Sequence, residues 1–322
     1  MLLFTFDLDG VLHINPFNRK VFPEVCRRLA PAFRRRHGAE ALHAGGEGTT
    51  VHNHEIPRED HFGDETERAV MRLIVAEAKR RLNEGRLVEA YDWDDIVRTV
   101  AIELGYEETI DVRGLVEAAC VPPYIDLHPY AGEALEGLKR RGVRLFTLSN
   151  GYDVYQYPVL RALGLAGYFE RRIAPEVVGI VKPMRGIFHR ALEEAGLEVD
   201  RRWSGGGPAN ARPKAGRESD EDGVVCVVHV GDSLIHDVFG AKGAGLVTVW
   251  VHRPLSEALP GVPPWERPVH PSFPDVLRSA FARELNVPWY GIQGWEEAYP
   301  DYAVATLREL DAVYEHLVGG RR

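Results

Sequence analysis

Uninterrupted apolar runs, rather than alternating ones, mark the candidate strands of this chain. Three of them, of five to seven residues, are Leu2–Phe6, Val143–Leu148 and Val224–Val230, and a fourth, Leu246–Val251, follows the third after one helix. Continuous apolar character over such lengths is typical of a strand that is covered by helices on both faces. The pattern therefore predicts a parallel sheet buried between two helical layers.

Helical periodicity fills the intervals between these runs. Apolar stripes precede Gly142, Gly196 and Gly243, which are glycines that can end a helix. The stripes consist of Ala134, Leu135 and Leu138; of Ile187, Phe188, Ala191, Leu192 and Ala195; and of Val238 and Ala241. Because strand and helix alternate, the sequence predicts an α/β fold with a doubly wound parallel sheet.

The segment from about Ile14 to Leu127 interrupts this alternation. It contains no convincing strand, and its apolar residues follow helical spacing instead. The stripes are Val70, Leu73, Ile74, Ala78 and Leu82; Ile96, Val97, Val100, Ala101 and Leu104; and Leu115, Val116 and Ala119. A long insertion is tolerable because the cost of closing a loop rises only logarithmically with length. We therefore expect a core of residues 1–14 and 128–322 and an inserted all-helical domain of residues 15–127.

Two later stretches have the composition of irregular structure. Ser204–Gly223 is rich in Gly, Pro and charged residues, which is typical of a surface loop. Pro254–Pro274 contains seven prolines, so we expect it to lack regular structure in its interior and to follow the surface. After it, helical spacing predicts a last helix over Tyr302–Leu317. The sequence does not indicate what the two irregular stretches do.

The composition is that of an ordinary globular protein. The chain has 322 residues, 45% apolar and 27% charged, a length that suggests two domains or one with a large insertion. Its net charge of −9 disfavours a nucleic-acid partner, which usually requires a basic stripe. Cys26, Cys120 and Cys226 are too widely spaced to indicate a disulfide framework or a zinc site. Since neither a leader pattern nor a membrane-length apolar run is present, we expect a cytoplasmic protein without a membrane partner.

Two acids directly follow the first predicted strand. Asp7 and Asp9 are alternate residues of an extended segment, so both can face one site at the carboxyl end of the strand, where open α/β sheets bind ligands. The two carboxylates repel each other, and a hard divalent cation such as Mg²⁺ would compensate this repulsion. A turn formed by Asp9 and Gly10 explains these residues equally well when they are considered alone.

Polar residues also end the later strands. Ser149 and Asn150 offer a hydroxyl, an amide and backbone N–H groups to an oxyanion, and Lys182 could neutralise a phosphate. Asp232 follows the third apolar run as a third acidic metal ligand. Asp237 lies in the next helix, where it could bond to Lys182 or to a metal-bound water. Considered singly, these residues also fit polar turns, a surface lysine and an ordinary helix start.

In this chain order, the four elements resemble the motifs of the haloacid dehalogenase (HAD) superfamily. The corresponding stretches are Asp7-Leu8-Asp9-Gly10, Ser149-Asn150-Gly151, Lys182-Pro183, and Gly231-Asp232 through Asp237. The helical insertion after the first motif is similar to the family's cap domain. The resemblance implies a Rossmann-like core and a Mg²⁺-dependent phosphatase acting on a small phosphorylated metabolite.

The resemblance also implies a role for each site residue. Asp7 would attack phosphorus and form an aspartyl-phosphate, while Asp9 would protonate the leaving oxygen and later deprotonate water. The carboxylates of Asp7 and Asp232 and the backbone carbonyl of Asp9 would hold the metal. Family members that hydrolyse carbon–halogen bonds lack an acid at the position of Asp9, so dehalogenation is disfavoured. The phosphate oxygens would be held by Ser149, Asn150 and Lys182.

The histidines of the inserted segment have no assigned role. His13 stands at its start, where the family usually has a small or acidic residue, and is a candidate contact of the cap with the substrate. His52, His54 and His61 lie within ten residues and could bind Zn²⁺. They lack a helical His-x-x-x-His pairing, so a solvated or substrate-facing loop is favoured.

Two other functions stay open at this stage. A phosphomutase would use the same residues to return the phosphoryl group to a sugar, and Asp9 would serve both reactions. A non-catalytic phosphate-binding protein is disfavoured because Asp7, Asp9 and Lys182 are all retained, together with Ser149 and Asp232. The sequence predicts neither the physiological substrate nor the oligomeric state.

Overall fold

The structure of the chain is a computed structural model. It describes residues 2–38, 61–198, 212–213, 226–284 and 290–319. His52 and His54 lie outside the described residues, as does the stretch Ser204–Gly223 apart from two residues. Within the described ranges, no helix is both long enough and apolar enough to cross a membrane.

A six-stranded parallel sheet forms the centre of the molecule. In spatial order its strands are β10 (Tyr302–Val304), β9 (Val247–Val251), β8 (Cys226–Gly231), β1 (Leu2–Phe6), β4 (Arg144–Leu148) and β5 (Arg171–Ile173). Each neighbouring pair runs parallel. β1, β4, β8 and β9 lie in the four predicted apolar runs, and the predicted doubly wound α/β fold is confirmed.

Helices cover both faces of the sheet. They are α5 (Ala131–Arg140), α6 (Asp153–Ala162), α7 (Pro175–Val178), α8 (Arg185–Glu194), α9 (Gly240–Gly243) and α12 (Leu310–Gly319). Because successive residues of a strand point to opposite sides, Phe4 and Phe6 of β1 share a cluster with α5 and α12. Leu3 points the other way and shares a cluster with α8 and α9. β1 is therefore buried on both sides and its carboxyl end lies near the centre of the sheet.

The described parts of the inserted segment, residues 15–38 and 61–127, are mainly helical, as the sequence predicts. Its helices are α1 (Phe22–His37), α2 (Glu65–Asn83), α3 (Trp93–Leu104) and α4 (Val112–Ala118), of which the last three occupy the predicted stripes. The segment leaves and re-enters the core through a short antiparallel ribbon, β2 (His13–Ile14) with β3 (Asp126–Leu127). The insert and α6 share one hydrophobic cluster, to which α6 contributes Tyr155 and Val159.

The C-terminal part of the chain differs from the prediction. The expected helix over Tyr302–Leu317 is wrong in its first half, because Tyr302–Val304 forms β10 and α12 begins only at Leu310. The three strand residues are almost fully buried against the edge of β9. Asp301 reinforces this pairing, since its Oδ2 accepts hydrogen bonds from both the backbone N–H and the hydroxyl of Thr248. Tertiary burial therefore decides for a strand where the helical spacing was ambiguous.

The proline-rich stretch Pro254–Pro274 is less irregular than expected. It contains α10 (Leu255–Ala258) and the start of α11 (Phe273–Phe281). Pro254 directly precedes α10, and Pro274 lies in the first turn of α11, where a missing N–H costs no helical hydrogen bond. The helices pack on Trp250 at the end of β9 in a separate hydrophobic cluster.

A second ribbon pairs β6 (Leu197–Glu198) with β7 (Arg212–Pro213).

Candidate active site

Asp7 and Asp9 lie at the carboxyl end of β1. The backbone N–H of Asp7 donates to the carbonyl of Val230 on β8 over 2.9 Å, so strand pairing continues to this residue. Both residues are nearly buried, with 7% and 5% of their surface exposed. Gly10 then turns the chain with a φ of +77°, and a Cβ at this position would lie 2.2 Å from Oδ2 of Asp232. The turn therefore requires glycine, and it brings the loop after β1 against Asp232.

Lys182 joins two of the acids. Its Nζ lies 2.9 Å from Oδ1 of Asp7 and 2.6 Å from Oδ1 of Asp237, and its side chain is only 2% exposed. Burial lowers the pKa of this ammonium, but the charges of Asp237 and Asp7 outweigh burial and raise the pKa to about 12. Lys182 is therefore a fixed positive charge beside Asp7.

Asp237 is surrounded by hydrogen-bond donors. Its Oδ1 accepts from Lys182 and lies 2.9 Å from Nε2 of His229, and its Oδ2 accepts from the N–H of Ser233 at 2.9 Å. Nδ1 of the same histidine lies 2.8 Å from Oγ1 of Thr5 on β1. Burial alone would raise the pKa of Asp237, but Lys182 and His229 hold it well below its usual value. Asp237 is therefore a fixed anion that orients Lys182.

Three acids form a cluster that could hold a cation. Asp7, Asp232 and Asp237 each bring one carboxylate oxygen within 4.8 Å of the others. Oδ1 of Asp232 is buried, and no donor in the described part of the chain reaches it. Burial, followed by the charges of Asp7 and Asp237, raises the pKa of Asp232 well above its usual value. A hard divalent cation fits this set because it offsets the charge and occupies the oxygen that lacks a donor.

Ser149 and Asn150 follow β4 and are both nearly buried. Oγ of Ser149 accepts a hydrogen bond from the N–H of Gly151 at 3.2 Å. The amide of Asn150 accepts from the backbone N–H of Lys182 at 2.7 Å, and it donates to the carbonyl of Lys182 at 3.0 Å and to Oη of Tyr91 at 2.8 Å. The Asn150 side chain, which the sequence analysis assigns to phosphate, is thus engaged in holding the backbone of Lys182.

A chain of buried hydrogen bonds continues from the contact between Asn150 and Tyr91, and the sequence did not predict it. Tyr91, at the end of a short turn before α3, shares a hydrogen bond with Tyr290. Oη of Tyr290 lies 3.0 Å from Nε2 of His236, and Nδ1 of His236 lies 3.3 Å from Oγ of Ser233. Ser233 in turn donates to Glu284 at 2.7 Å. No local motif in the sequence indicates these residues, because most of the contacts join segments that are far apart in the chain.

Asp9 has two polar neighbours of its own. Nε2 of Gln156 on α6 donates to Oδ2 of Asp9 at 2.7 Å, and Nδ1 of His13 lies 3.3 Å from Oδ1. His13 is fully buried on β2, at the point where the inserted segment begins. The sequence singled out His13 as a cap contact, and the structure places it against Asp9. The sequence did not single out Gln156, although it lies only five residues after the motif Ser149-Asn150-Gly151.

The arrangement has a definite chemical capacity. A carboxylate that can act as a nucleophile, Asp7, lies beside a fixed cation and beside acids suited to a metal. Asp9 is two residues further on and can exchange a proton at the same edge of the sheet. Such a set can attack an electrophile that carries several negative charges, since the cations offset the repulsion between that group and Asp7.

Comparison with known proteins agrees with this geometry. A family model described as haloacid dehalogenase-like hydrolase matches residues 1–245. The chain is 30% identical over 125 residues to the pyrimidine 5'-nucleotidase YjjG of Escherichia coli, an alignment that covers 39% of this chain and 45% of that protein. It is 28% identical over 130 residues to the glyceraldehyde 3-phosphate phosphatase of Methanothermobacter thermautotrophicus, covering 40% and 46%. The chain thus spans about half the length of the curated relatives it matches.

A solved structure supports the fold alone. The crystal structure of a HAD phosphatase from Thermococcus onnurineus superimposes with a TM-score of 0.55, and the alignment covers 98% of each chain. The two sequences are 19% identical over this superposition, so the likeness concerns architecture and not activity.

Proposed function

This chain belongs to the haloacid dehalogenase-like hydrolases, and from that premise we propose that it is a Mg²⁺-dependent phosphatase of small phosphorylated metabolites. The observation that carries the proposal is the contact of Asp7 with Lys182 at 2.9 Å, beside the acids of the metal cluster and two residues before Asp9. In this proposal Asp7 is the nucleophile, Lys182 is the charge that binds the phosphate and Asp9 is the proton donor.

In the first step, a carboxylate oxygen of Asp7 attacks phosphorus and the bond from phosphorus to the leaving oxygen breaks. Lys182 and the hydroxyl of Ser149 hold the phosphoryl oxygens, and Asn150 acts by fixing the backbone of Lys182. The carboxyl group of Asp9 gives its proton to the leaving oxygen, so the product departs as an alcohol. The phosphoryl group is then bound to Asp7 as an aspartyl-phosphate.

In the second step, water attacks the phosphorus of the aspartyl-phosphate. Asp9, now a carboxylate, takes a proton from that water and is thereby returned to its starting state. The bond between phosphorus and the oxygen of Asp7 breaks, and inorganic phosphate is released. Each proton that Asp9 gives to an alcohol is therefore recovered from the attacking water.

The metal site uses the same edge of the sheet. Asp7, Asp232 and the backbone carbonyl of Asp9 would hold the cation, while Asp237 keeps Lys182 in place. When bound, Mg²⁺ supplies positive charge that lets the nucleophile approach a phosphate dianion. The buried Oδ1 of Asp232 supports this role, because no donor in the described ranges reaches it.

We expect hydrolysis of 4-nitrophenyl phosphate to require Mg²⁺ and to be lost on chelation. Without a cation, the cluster of Asp7, Asp232 and Asp237 repels the phosphate dianion. The measurement is release of inorganic phosphate with Mg²⁺, after EDTA treatment, and after Mg²⁺ is restored. Full activity in excess EDTA would contradict a metal requirement. Conversion of hexose 1-phosphates to isomers without phosphate release would favour a phosphomutase.

The physiological substrate calls for a direct screen. The relatives named above act on a pyrimidine nucleotide and on glyceraldehyde 3-phosphate, so both compounds belong in it together with sugar phosphates. We propose that selectivity lies in residues 15–127 as a cap domain, since the core of residues 1–14 and 128–322 contacts the phosphoryl group that all substrates share. Tyr91 supports this division because its hydroxyl accepts a hydrogen bond from Asn150 and so links the insert to the core site.

A point variant tests the link between insert and core without removing the insert, whose helices share a hydrophobic cluster with α6. We expect Tyr91→Phe to lower kcat/KM by roughly three- to tenfold, because one hydrogen bond to the group that holds Lys182 is lost. Tyr106→Phe, in the same insert, removes a partly exposed hydroxyl bonded to Glu108 and is the matched control. Equal activity of the two variants would show that the Tyr91 hydroxyl does not support the site.

A further inference from the structure

Gln156 has features that no motif of the family resemblance accounts for. It lies in the first turn of α6, five residues after Gly151, and only 4% of it is exposed. We propose that Gln156 is a positioning residue for Asp9, and that its amide oxygen accepts a hydrogen bond from the hydroxyl or water that exchanges a proton with Asp9. This inference rests on the proposed phosphatase reaction.

The contact with Asp9 determines which way the amide faces. The side chain of Gln156 approaches Oδ2 of Asp9 to 2.7 Å. In this contact Nε2 donates and Oδ2 accepts, so the NH₂ end of the amide faces Asp9. The carbonyl oxygen Oε1 is then the other polar end of the same planar amide group.

Oε1 is the observation that points to a ligand. It is buried, and no donor among the residues that the structure describes forms a hydrogen bond to it. A buried carbonyl oxygen without a donor is energetically unfavourable. In the proposed reaction, the alcohol becomes a donor once Asp9 has given it a proton, and the water that follows is a donor as well. Either would satisfy Oε1 while it is held at the carboxyl group.

The surrounding structure holds Gln156 in place. A Cβ on Gly151 would lie 2.2 Å from Nε2 of Gln156, so the turn after β4 leaves just enough room for this amide. The neighbouring Tyr155 donates to Oδ2 of Asp94 at 2.9 Å and accepts from its N–H at 3.0 Å, which ties this turn of α6 to the insert. The amide therefore has little freedom to rotate away from Asp9.

This geometry has a consequence that a purely structural role would not have. If Gln156 orients Asp9 for proton transfer, its loss matters most when the leaving oxygen needs a proton. The 4-nitrophenolate anion is stable without one, whereas the alkoxide from benzyl phosphate is not. The two esters present aromatic leaving groups of similar size, so they differ mainly in their demand for the proton.

The test compares kcat/KM for 4-nitrophenyl phosphate and benzyl phosphate in wild type and in Gln156→Met, which keeps the length of the side chain but removes both amide groups. With general acid catalysis contributing about 10²–10⁴-fold, we expect roughly 30-fold or more loss for benzyl phosphate and about threefold or less for 4-nitrophenyl phosphate. Gln293→Met makes the same change at an exposed position and should leave both values unchanged.

Equal losses for the two esters would overturn the inference, and so would no loss for either. In both cases the proposed function would stand, provided that the wild type still required Mg²⁺ and Asp7. If the wild type hydrolysed neither ester, the proposed function and this inference would fail together. If Gln156→Met has a lower melting temperature than the wild type, Gln156→Leu is used instead. The ratio of the losses in kcat/KM for the two esters then tests the inference in the same way.

Discussion

Asp7→Asn is expected to reduce kcat for aryl phosphates by on the order of 10⁴-fold or more, to the background of the assay. An amide oxygen is a poor nucleophile and cannot form the aspartyl-phosphate. The substitution keeps the size of the side chain, so the sheet and the turn at Gly10 should be unaffected. The measurement is phosphate release under saturating substrate and Mg²⁺.

The control for this variant is Asp275→Asn, the same change at an exposed residue of α11. It should retain wild-type kcat and the wild-type melting temperature. An Asp7→Asn protein that folds and turns over within tenfold of the wild type would exclude covalent catalysis at Asp7. Reduced activity together with a much lower melting temperature would instead trace the loss to folding, so both variants are melted before they are assayed.

Lys182→Met should have the second largest effect, on stability as well as on activity. The substitution fills the same space but leaves Asp7 and Asp237 buried without their cation. Removing one partner of a buried ion pair costs about 3–5 kcal/mol, so we expect the free energy of unfolding in EDTA to fall by that amount. The lost contact with the phosphoryl group should lower kcat/KM by roughly 10²- to 10³-fold and raise KM.

Chemical denaturation and steady-state kinetics measure the two effects of Lys182→Met. Added Mg²⁺ should restore part of the stability, since a bound cation offsets the same carboxylates. Lys139→Met is the control, because Lys139 is exposed and its ammonium contacts only neutral groups among the described residues, the carbonyl of Gly167 and the ring of Tyr168. A Lys182→Met protein as stable as this control would show that the two acids do not need the lysine charge.

The contacts that could be predicted from the sequence are those that follow from strand ends. Asp7 comes directly after a continuous apolar run, and Asp232 follows another run that ends at the same edge of a parallel sheet. Lys182 comes just before the start of a helix, α8. These local patterns place the residues near one another before any side-chain contact is known, and the structure brings Nζ of Lys182 to within 2.9 Å of Asp7.

Other contacts depend on tertiary packing that no local pattern records. The amide of Asn150 is as suited to a phosphate as to a backbone, and only the approach of Lys182 and Tyr91 engages it. In the sequence, Gln156 is only one polar residue of an amphipathic helix. Its role is indicated by its hydrogen bond to Asp9 in the structure. Tyr290 comes from a stretch after the proline-rich segment, where the sequence gives no sign of a site.

The strand β10 shows the same limit for secondary structure. Val304, Leu307 and Leu310 have helical spacing, and this spacing predicted one continuous helix. Val304 nevertheless pairs with Val251 at the edge of β9, while Leu310 begins α12. A short apolar stretch fits either structure, and the available sheet edge decides between them.

Chemical trapping of Asp7 during turnover tests the central claim most directly. Acid quenching followed by borohydride reduction converts an aspartyl-phosphate to homoserine, which peptide mass spectrometry locates in the chain. We expect homoserine at position 7 when the protein is mixed with 4-nitrophenyl phosphate and Mg²⁺, and none in Asp7→Asn. Rapid turnover without modification of residue 7, or with modification at another carboxylate, would contradict it.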